Sequence, residues 1–425
     1  METDPTRMCA LLVGLPDVTV IGVGDWPLWL RIEIVTVTER PVCSCGTVAH
    51  RHGVREVVLV DLPCFGRPTR LVWRKQRWWC PTCGRSWTGQ DPMIASSRCV
   101  MTTRAARWVT LQVGKHGRSV SEVAADLGCD WHTVMDAVVV FGEPLINDPS
   151  RFGTVTAVGL DETLYVREGC YRRQLWSTQI VDVQRGQLLD VVPGREVAGC
   201  CAWFAARSQV WRDGVRWATL DLSNSYRVVF DTMLPDAVQV ADPFHVVRLA
   251  NTALDECRRR VQNYTVGHRG RKNDPLYRAR RRLLMASERL TVDGRERMMG
   301  LLAAGDPHRE LWFAWNAKEV VRQIYDHTDT ELAAAWVSAI GRDFTDESMP
   351  IEVRRLGRTI TKWAAQIVAW HRAHVTNGPT ETINNLIKRV KRTAFGFRRF
   401  KHYRLRALLY DGKPNWSLLN QLTPP

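Results

Sequence analysis

The spacing of apolar residues changes along the chain, and each change marks a module. Residues 1–95 are dense in Val, Trp and Cys and alternate in short runs, as in "RLVWRKQRWW" (Arg70–Trp79). A two-residue period puts alternate side chains on one face and predicts short strands. Residues 101–146 take a helical period. Residues 153–246 return to strands, with "GTVTAVGLDE", "QLWSTQIVDV", "GQLLDVVP" and "VRWATLDLS" around a helix near "GCCAWFAAR". Residues 249–370 read as almost wholly helical and rich in Trp and Arg, and the tail from Pro379 as helical and basic. No internal repeat or low-complexity linker interrupts the order. Strand-rich, helical, strand-rich, helical is the order of a multidomain α+β chain.

Composition narrows the partners. A length of 425 residues suggests three domains at roughly 150 residues each. A formal net charge of +15 favours a polyanion such as nucleic acid. No apolar run approaches the roughly 18 residues of a spanning helix, so a membrane is not expected. The start "METDPTRMCALLVGL" is acidic with a short apolar run, unlike a signal peptide, and predicts an intracellular protein. In that reducing setting the 12 Cys are expected as core thiols or metal ligands.

Two cysteine pairs stand out: Cys43 and Cys45 in "PVCSCGT", and Cys80 and Cys83 in "WWCPTCGRSW". Two close pairs across a strand-rich stretch suit a four-thiolate structural zinc site. The first pair is one residue tighter than the usual knuckle, so His50, His52 or Cys64 stand as substitutes for one ligand. "RSVSEVAADLGCDWHTVMDAVVVF" (Arg118–Phe141) reads as helix, Gly128 turn, helix, the first opened by Ser121 with Glu122 and the second capped by Asp130. In a helix-turn-helix the second helix offers Trp131, His132 and Thr133 to a major groove; a plain helical hairpin has the same pattern.

Three acids carry the candidate chemistry. Asp161 ends the apolar strand "TAVGLD" and Asp221 ends "VRWATLD"; clefts lie at such strand ends. Glu381 heads a helix whose apolar stripe is Ile383, Leu386, Ile387 and Val390. It falls on the polar side with Asn385 and Lys388. Behind it come Lys388, Arg389, Lys391, Arg392, Arg398, Arg399 and Lys401, with no further acid until Asp411. Three converging carboxylates can hold two Mg²⁺ ions, or Mn²⁺, for phosphodiester displacement, and the basic stretch can grip the phosphate backbone. Three unrelated surface acids among 44 would look the same.

The order of these parts resembles the bacterial insertion-sequence transposases of the ISL-three family, whose active site is Asp-Asp-Glu. The likeness runs through "RPVCSCGTVAHRHGVREVVLVDLPCFGRPTRLVWRKQRWWCPTCG", "MTTRAARWVTLQV" with "SVSEVAADLGCDWHTVMDAV", "GLDET", "TLDLSNSY", "VQVADPFHVVRLAN" and "NGPTETINNLIKRVKRTAFGFRRFKHYRLRAL". It implies a zinc-binding head (1–95), a helix-turn-helix domain (96–150) and a ribonuclease H-like mixed α/β core (151–248). It also implies an all-helical insertion (249–370) and a final core helix with basic tail (371–425). Asp161, Asp221 and Glu381 are then the catalytic metal ligands. Asp242 rivals Asp221, and Glu162 points to the opposite face of its strand. The implied partners are double-stranded DNA (terminal inverted repeats and target) and a second copy in a homodimer. The implied location is the cytoplasm, at the nucleoid when DNA-bound. A DNA-binding regulator or a non-transposing nuclease of the same architecture are the rival functions.

Overall fold

A computed structural model describes residues 1–37 and 39–422, and the chain gathers into two units. One comprises Met1–Gly153 with the carboxyl-terminal stretch from Asn385; the other is Thr154–Asn384.

The first unit opens with a helix, α1 (Pro5–Val13), where the alternating pattern suggested only strands. Asp4 caps it by accepting from the Arg7 amide, and Gly14 ends it in the left-handed region. Its nine residues are too few to impress a period on the strand-rich sequence around them. Five strands follow: β1 (Val18–Asp25), β2 (Leu30–Thr36), β3 (His50–Cys64), β4 (Arg67–Trp79) and β5 (Ser86–Thr88). They pair in the order β1-β2-β4-β3, with β5 on the far end of β4. β3 and β4 are longer than the short strands expected, at 15 and 13 residues. Their hairpin turns through Phe65 and Gly66, both at positive φ (50° and 78°), which matches strand twist in a two-residue loop. Val20, Ile32, Ile34, Leu59, Leu71 and Trp73 form the core with Ile94 of the following loop. Each such side chain contributes about 1.5–3 kcal/mol by leaving water.

Helices α2 (Thr103–Thr110), α3 (Val120–Leu127) and α4 (Trp131–Asn147) complete the amino-terminal part. Asp61 of β3, 1% exposed, ties α2 to the sheet. It accepts from Thr102 Oγ1 at 2.7 Å and Arg104 Nε at 2.9 Å, with a second Arg104 nitrogen on its other oxygen. The first helix of the helical pair is capped by Ser119 in a capping box with Glu122, two residues before the Ser121 start read from sequence. Ser119 reaches the amide three residues on, which Ser121 beside Glu122 cannot do.

The second unit is built on β6 (Ala157–Glu168), β7 (Arg173–Asp182), β8 (Gln187–Pro193), β9 (Trp217–Leu220) and β10 (Val238–Ala241), in the order β10-β9-β6-β7-β8. β6, β7 and β8 form an antiparallel meander, whereas β9 and β10 run parallel to β6. Parallel neighbours need crossovers. Helices α5 (Val197–Ala205) and α6 (Gln209–Asp213) supply one, and α7 (Asn224–Met233) the other. Seven more helices follow β10: α8 (Pro243–Val266), α9 (Pro275–Leu284), α10 (Val292–Gly305), α11 (Glu310–Gln323), α12 (Thr330–Asp343), α13 (Ile351–Lys362) and α14 (Ala364–Ala373). Arg260 of α8 clasps Glu352 of α13 (2.8 Å) and Glu310 of α11 (3.2 Å). Lys318, 1% exposed, donates to the Leu283 and Met285 carbonyls at the end of α9.

Helix α15 (Gly378–Thr393) contains the boundary between the units, which falls between Asn384 and Asn385. α16 (Phe400–Asp411) packs on α4, where a side chain at Gly142 would stand 2.9 Å from Leu409.

Because Asp61 is the buried anion beneath Arg104, Asp61→Ala leaves a cation and a cap hydroxyl without their partner. The expected loss is about 3 kcal/mol, read as a lower midpoint in denaturant unfolding of the full chain. An unchanged midpoint contradicts this account of how α2 is held.

Candidate functional site

Neighbouring strands bring three acids near one another. The β6–β9 ladder ends with Gly159 opposite Thr219; Asp161 lies two residues further along β6, Asp221 directly follows the last residue of β9, and the Asp221 charge acts on Asp161. β10 pairs with β9 with Ala241 opposite Leu220, and one position on Asp242 comes beside Asp221. β9 and β10 end there, while β6 runs on beside β7. The chain leaves β9 sharply: Leu222, next to Asp221, has φ 66°.

The three acids differ in what they are free to do. Asp242 is 3% exposed and fully engaged. It caps α8 through the His245 amide, accepts the Asn377 amide at 2.8 Å, and lies 3.1 Å from His245 Nδ1. Asp221 Oδ1 is buried with no hydrogen-bond partner among the described residues. Asp161 accepts from the Glu162 amide at 2.8 Å and from Asn384 Nδ2 at 2.6 Å. The Glu162 carboxylate is taken by the Tyr226 hydroxyl of α7 at 2.7 Å.

The start of α15 lies against β6 at Gly159. A Cβ there would stand 2.6 Å from Thr380 Oγ1 and 2.7 Å from Asn377 Oδ1. Asn377 also accepts from Thr219 Oγ1 at 3.0 Å. Along α15, Ile383, Ile387 and Val390 are buried, Asn385 and Lys388 are exposed, and Glu381 is half-buried. Its Oε1 lies 3.7 Å from His245 Nε2. Asn384 is buried beside the stripe and reaches Asp161. Sequence reasoning missed Asn384, His245, Asn377 and Gly159. "DPFH" gave a local signal for His245 as a capping partner, but the contacts to Asp161 and Glu381 join segments distant in sequence.

Charge is crowded here. Burial, then the Asp221 and Glu162 charges, push the Asp161 carboxyl up to about 6, against the pull of the Glu162 amide and His245. Burial, then Glu162, also raises Asp221, with His245 opposing. Burial would lower His245, but the hydrogen bond and charge of Asp242, with Asp221 and Glu381, raise it on balance. An orphaned carboxylate oxygen beside a second strained carboxylate suits a divalent cation. The three side chains of Asp161, Asp221 and Glu381 are not gathered into one tight cluster. Among the described residues only the cysteine group has three or more potential ligand atoms all within 4.8 Å.

That group is Cys43, Cys45, Cys80 and Cys83. Cys43 Sγ is 3.6 Å from Cys83 Sγ, and Cys45 Sγ is 3.4 Å from Cys80 Sγ. A tetrahedral zinc site has sulfur–sulfur edges of about 3.8 Å. The tight first pair closes because Gly46, at φ 83°, turns its amide back to the Cys43 carbonyl at 2.8 Å. The substitutes weighed for a ligand are outside the group: His50 and His52 lie against the Trp79 ring.

On the helical pair, Gly128 (φ 60°) makes the turn and Asp130 caps α4. Trp131 and His132 are exposed, with Trp131 against His402. Thr133 is half-buried, its amide and hydroxyl bonded to Asp130 (2.9 and 3.1 Å). Lys388, Arg389, Arg392, Arg398, Arg399 and Lys401 are exposed, with Lys401 2.8 Å from Glu143. Lys391 is half-buried.

No helix among the described residues is long and apolar enough to cross a membrane. The family profile described as a transposase matches residues 158–407, more than half of the chain. Those for the helix-turn-helix domain of transposase family ISL3 and the zinc-finger of transposase IS204/IS1001/IS1096/IS1165 match residues 92–139 and 40–83. The chain is 28% identical over 291 residues to the transposase for insertion sequence element IS1557 of Mycobacterium tuberculosis, and the match covers 63% of each chain. It is 23% identical over 419 residues to the transposase for insertion sequence element IS1001 of Bordetella parapertussis, covering 90% of this chain and 92% of that one. Zinc-binding cysteines, helical pair and acid-bearing sheet thus fall inside three profiles of one kind, and the chain belongs to the ISL3 family of transposases.

Proposed function

We propose that this transposase binds the terminal inverted repeats of an insertion sequence and catalyses DNA strand cleavage and strand transfer at Asp161, Asp221 and Glu381. The observation that carries the reading is the nearness of Asp161, on β6, to Asp221, just past the end of the adjacent parallel strand β9, where the Asp221 charge acts on Asp161 and a buried Asp221 oxygen is left unpaired. The sheet order and the long helical run before α15 support a ribonuclease H-like core with a helical insertion. Asp161, Asp221 and Glu381 would hold magnesium or manganese, which when bound neutralises charge on the attacking and leaving oxygens.

The surrounding residues set positions. Asn384 fixes one Asp161 oxygen, leaving the carboxylate little freedom. Asp242 holds the His245 ring toward Glu381. Gly159 lets α15 come close enough for both. Trp131 and His132 are the candidates for base reading. Thr133 serves the cap. The exposed cations of α15 and the following segment are the candidates for phosphate contact. Two transposon ends call for two active sites, hence a homodimer.

Asp161→Asn, Asp221→Asn and Glu381→Gln are each expected to lower strand cleavage at least 100-fold (~3 kcal/mol) while end binding stays within about twofold. Gel cleavage and anisotropy assays on end-containing duplex check this. Wild-type cleavage by Asp221→Asn would show the second carboxylate misassigned.

The same acid carries a stability cost. The Asp161 carboxyl is raised from 3.8 to about 6, so folding without metal grows less favourable as pH rises through that window. In chelator, Asp161→Asn should be the more stable protein at pH 7, by on the order of 2 kcal/mol. The gain should shrink to nothing by about pH 3, below both the unfolded and the folded values, where both states of the wild type bind the proton. Thermal midpoints from about pH 3 to 7 decide it; a gain that ignores pH rules out the charge explanation.

Elemental analysis should find about one zinc per chain, lost in Cys80→Ser together with preference for end DNA over scrambled DNA. Metal-free wild type that keeps this preference would remove zinc from recognition.

A further inference from the structure

A second charged site lies in the first unit, away from the cysteines and the helical pair. It is a cavity of ≈ 270 Å³ between β3, β4 and the segment from β5 to Cys99. Its lining includes Arg55, Lys75, Arg98, Thr88, Gln90 and Ser97, and no carboxylate.

Arg55 and Lys75 are directly opposite in the β3–β4 ladder. Like charges in that relation repel and weaken a sheet. Lys75 is also 6% exposed, on the face that buries Trp73 and Leu71. Its contacts are neutral: Gln90 Oε1 at 2.7 Å and the Trp73 ring at 3.9 Å. Burial and the Arg55 charge both pull its ammonium below the usual range. Neighbouring acids are used elsewhere. Glu56 pairs with Arg74 at 2.9 Å, and Asp91 accepts the Met93 amide at 2.9 Å. Arg98 adds a third cation from a left-handed backbone (φ 63°). Two arginines, a buried ammonium and three hydroxyl side chains (Thr88, Ser96 and Ser97) around one cavity form a donor-rich, cation-rich enclosure with no carboxylate in its lining. A buried ammonium without a counter-charge is costly, and an anion in the cavity removes that cost.

We propose that this cavity is a phosphate site that takes one backbone phosphate of bound DNA. The clause naming DNA rests on the function proposed above; the anion site itself does not. Arg supplies planar forks and Lys a point charge, the usual pairing for phosphate oxygens. Strand β3 leads from this cavity to the buried Asp61 that anchors α2. A phosphate held here therefore fixes the duplex against the same sheet that carries the helical pair.

The test uses the full zinc-loaded chain. Arg55→Gln/Arg98→Gln changes two exposed residues and leaves the core intact. Lys75→Met keeps the packing on Trp73 and removes the charge. Each variant should weaken end and scrambled DNA alike, about tenfold at fixed salt. The slope of log affinity against log salt should be shallower by about one phosphate. Inorganic phosphate should raise the thermal midpoint of the wild type and not of the double variant. Equal phosphate protection in both overturns the site. Protection confined to the wild type with unchanged DNA salt slopes means a free-phosphate site and overturns the DNA assignment. A wild type that shows no preference for end DNA counts against the function proposed above, while the phosphate comparison still decides the cavity.

Discussion

The approach of α15 to β6 at Gly159 is the constraint on which the candidate active site depends. A helix that begins within van der Waals reach of a strand backbone needs a residue without a side chain beneath it. Given that contact, Asn377 meets Thr219 and Asp242, Asn384 meets Asp161, and Glu381 comes within reach of His245. These contacts tie α15 and the residue before it to β6, to β9, to the residue that follows β10 and to α8. The helix is therefore held in rotation as well as position, and a turn of one residue would exchange Glu381 for Thr380 or Thr382.

Electrostatics then distinguishes acids that geometry makes equivalent. Asp221 and Asp242 occupy neighbouring places at the same level of a parallel sheet. Asp242 has both oxygens bonded to protein donors, so its charge is already compensated and its work is structural. Asp221 keeps a buried oxygen without a donor and sits near Glu162 and His245. A buried polar atom without a partner is costly in a finished fold. A chain that keeps one beside a second raised carboxylate stores that cost where a cation can relieve it.

The basic residues divide the same way. Arg104, Arg260 and Lys318 are committed to internal acids and carbonyls. Arg406, in the acid-free stretch before Asp411, is 2% exposed and donates to the Arg118 carbonyl. Burial brings it down to about 10. The net charge of the chain therefore overstates what a nucleic acid can meet. The exposed cations of α15 and the segment after it remain available.

The sequence by itself determined the order of modules, because strand and helix periods follow from local side-chain alternation. It determined the two cysteine pairs, the glycine turn at Gly128 and the Asp130 cap, since each is a short-range pattern with one structural solution. It brought Asp161, Asp221 and Glu381 forward as strand-end and helix-start acids, but Asp161 lies inside its strand, because β6 runs on to Glu168 in its ladder with β7. What it left open was decided by contacts between distant segments. The hydrogen bonds of Asn377 and His245 to Asp242 distinguished it from Asp221, and the close approach at Gly159 brought Asn384 to Asp161. The packing of α16 on α4 drew the tail into the first unit, although its sequence follows directly on the Glu381 segment. Periodicity reports which face of an element is apolar. Which partner covers that face, and which polar atom is left without one, is set only when the segments are brought together.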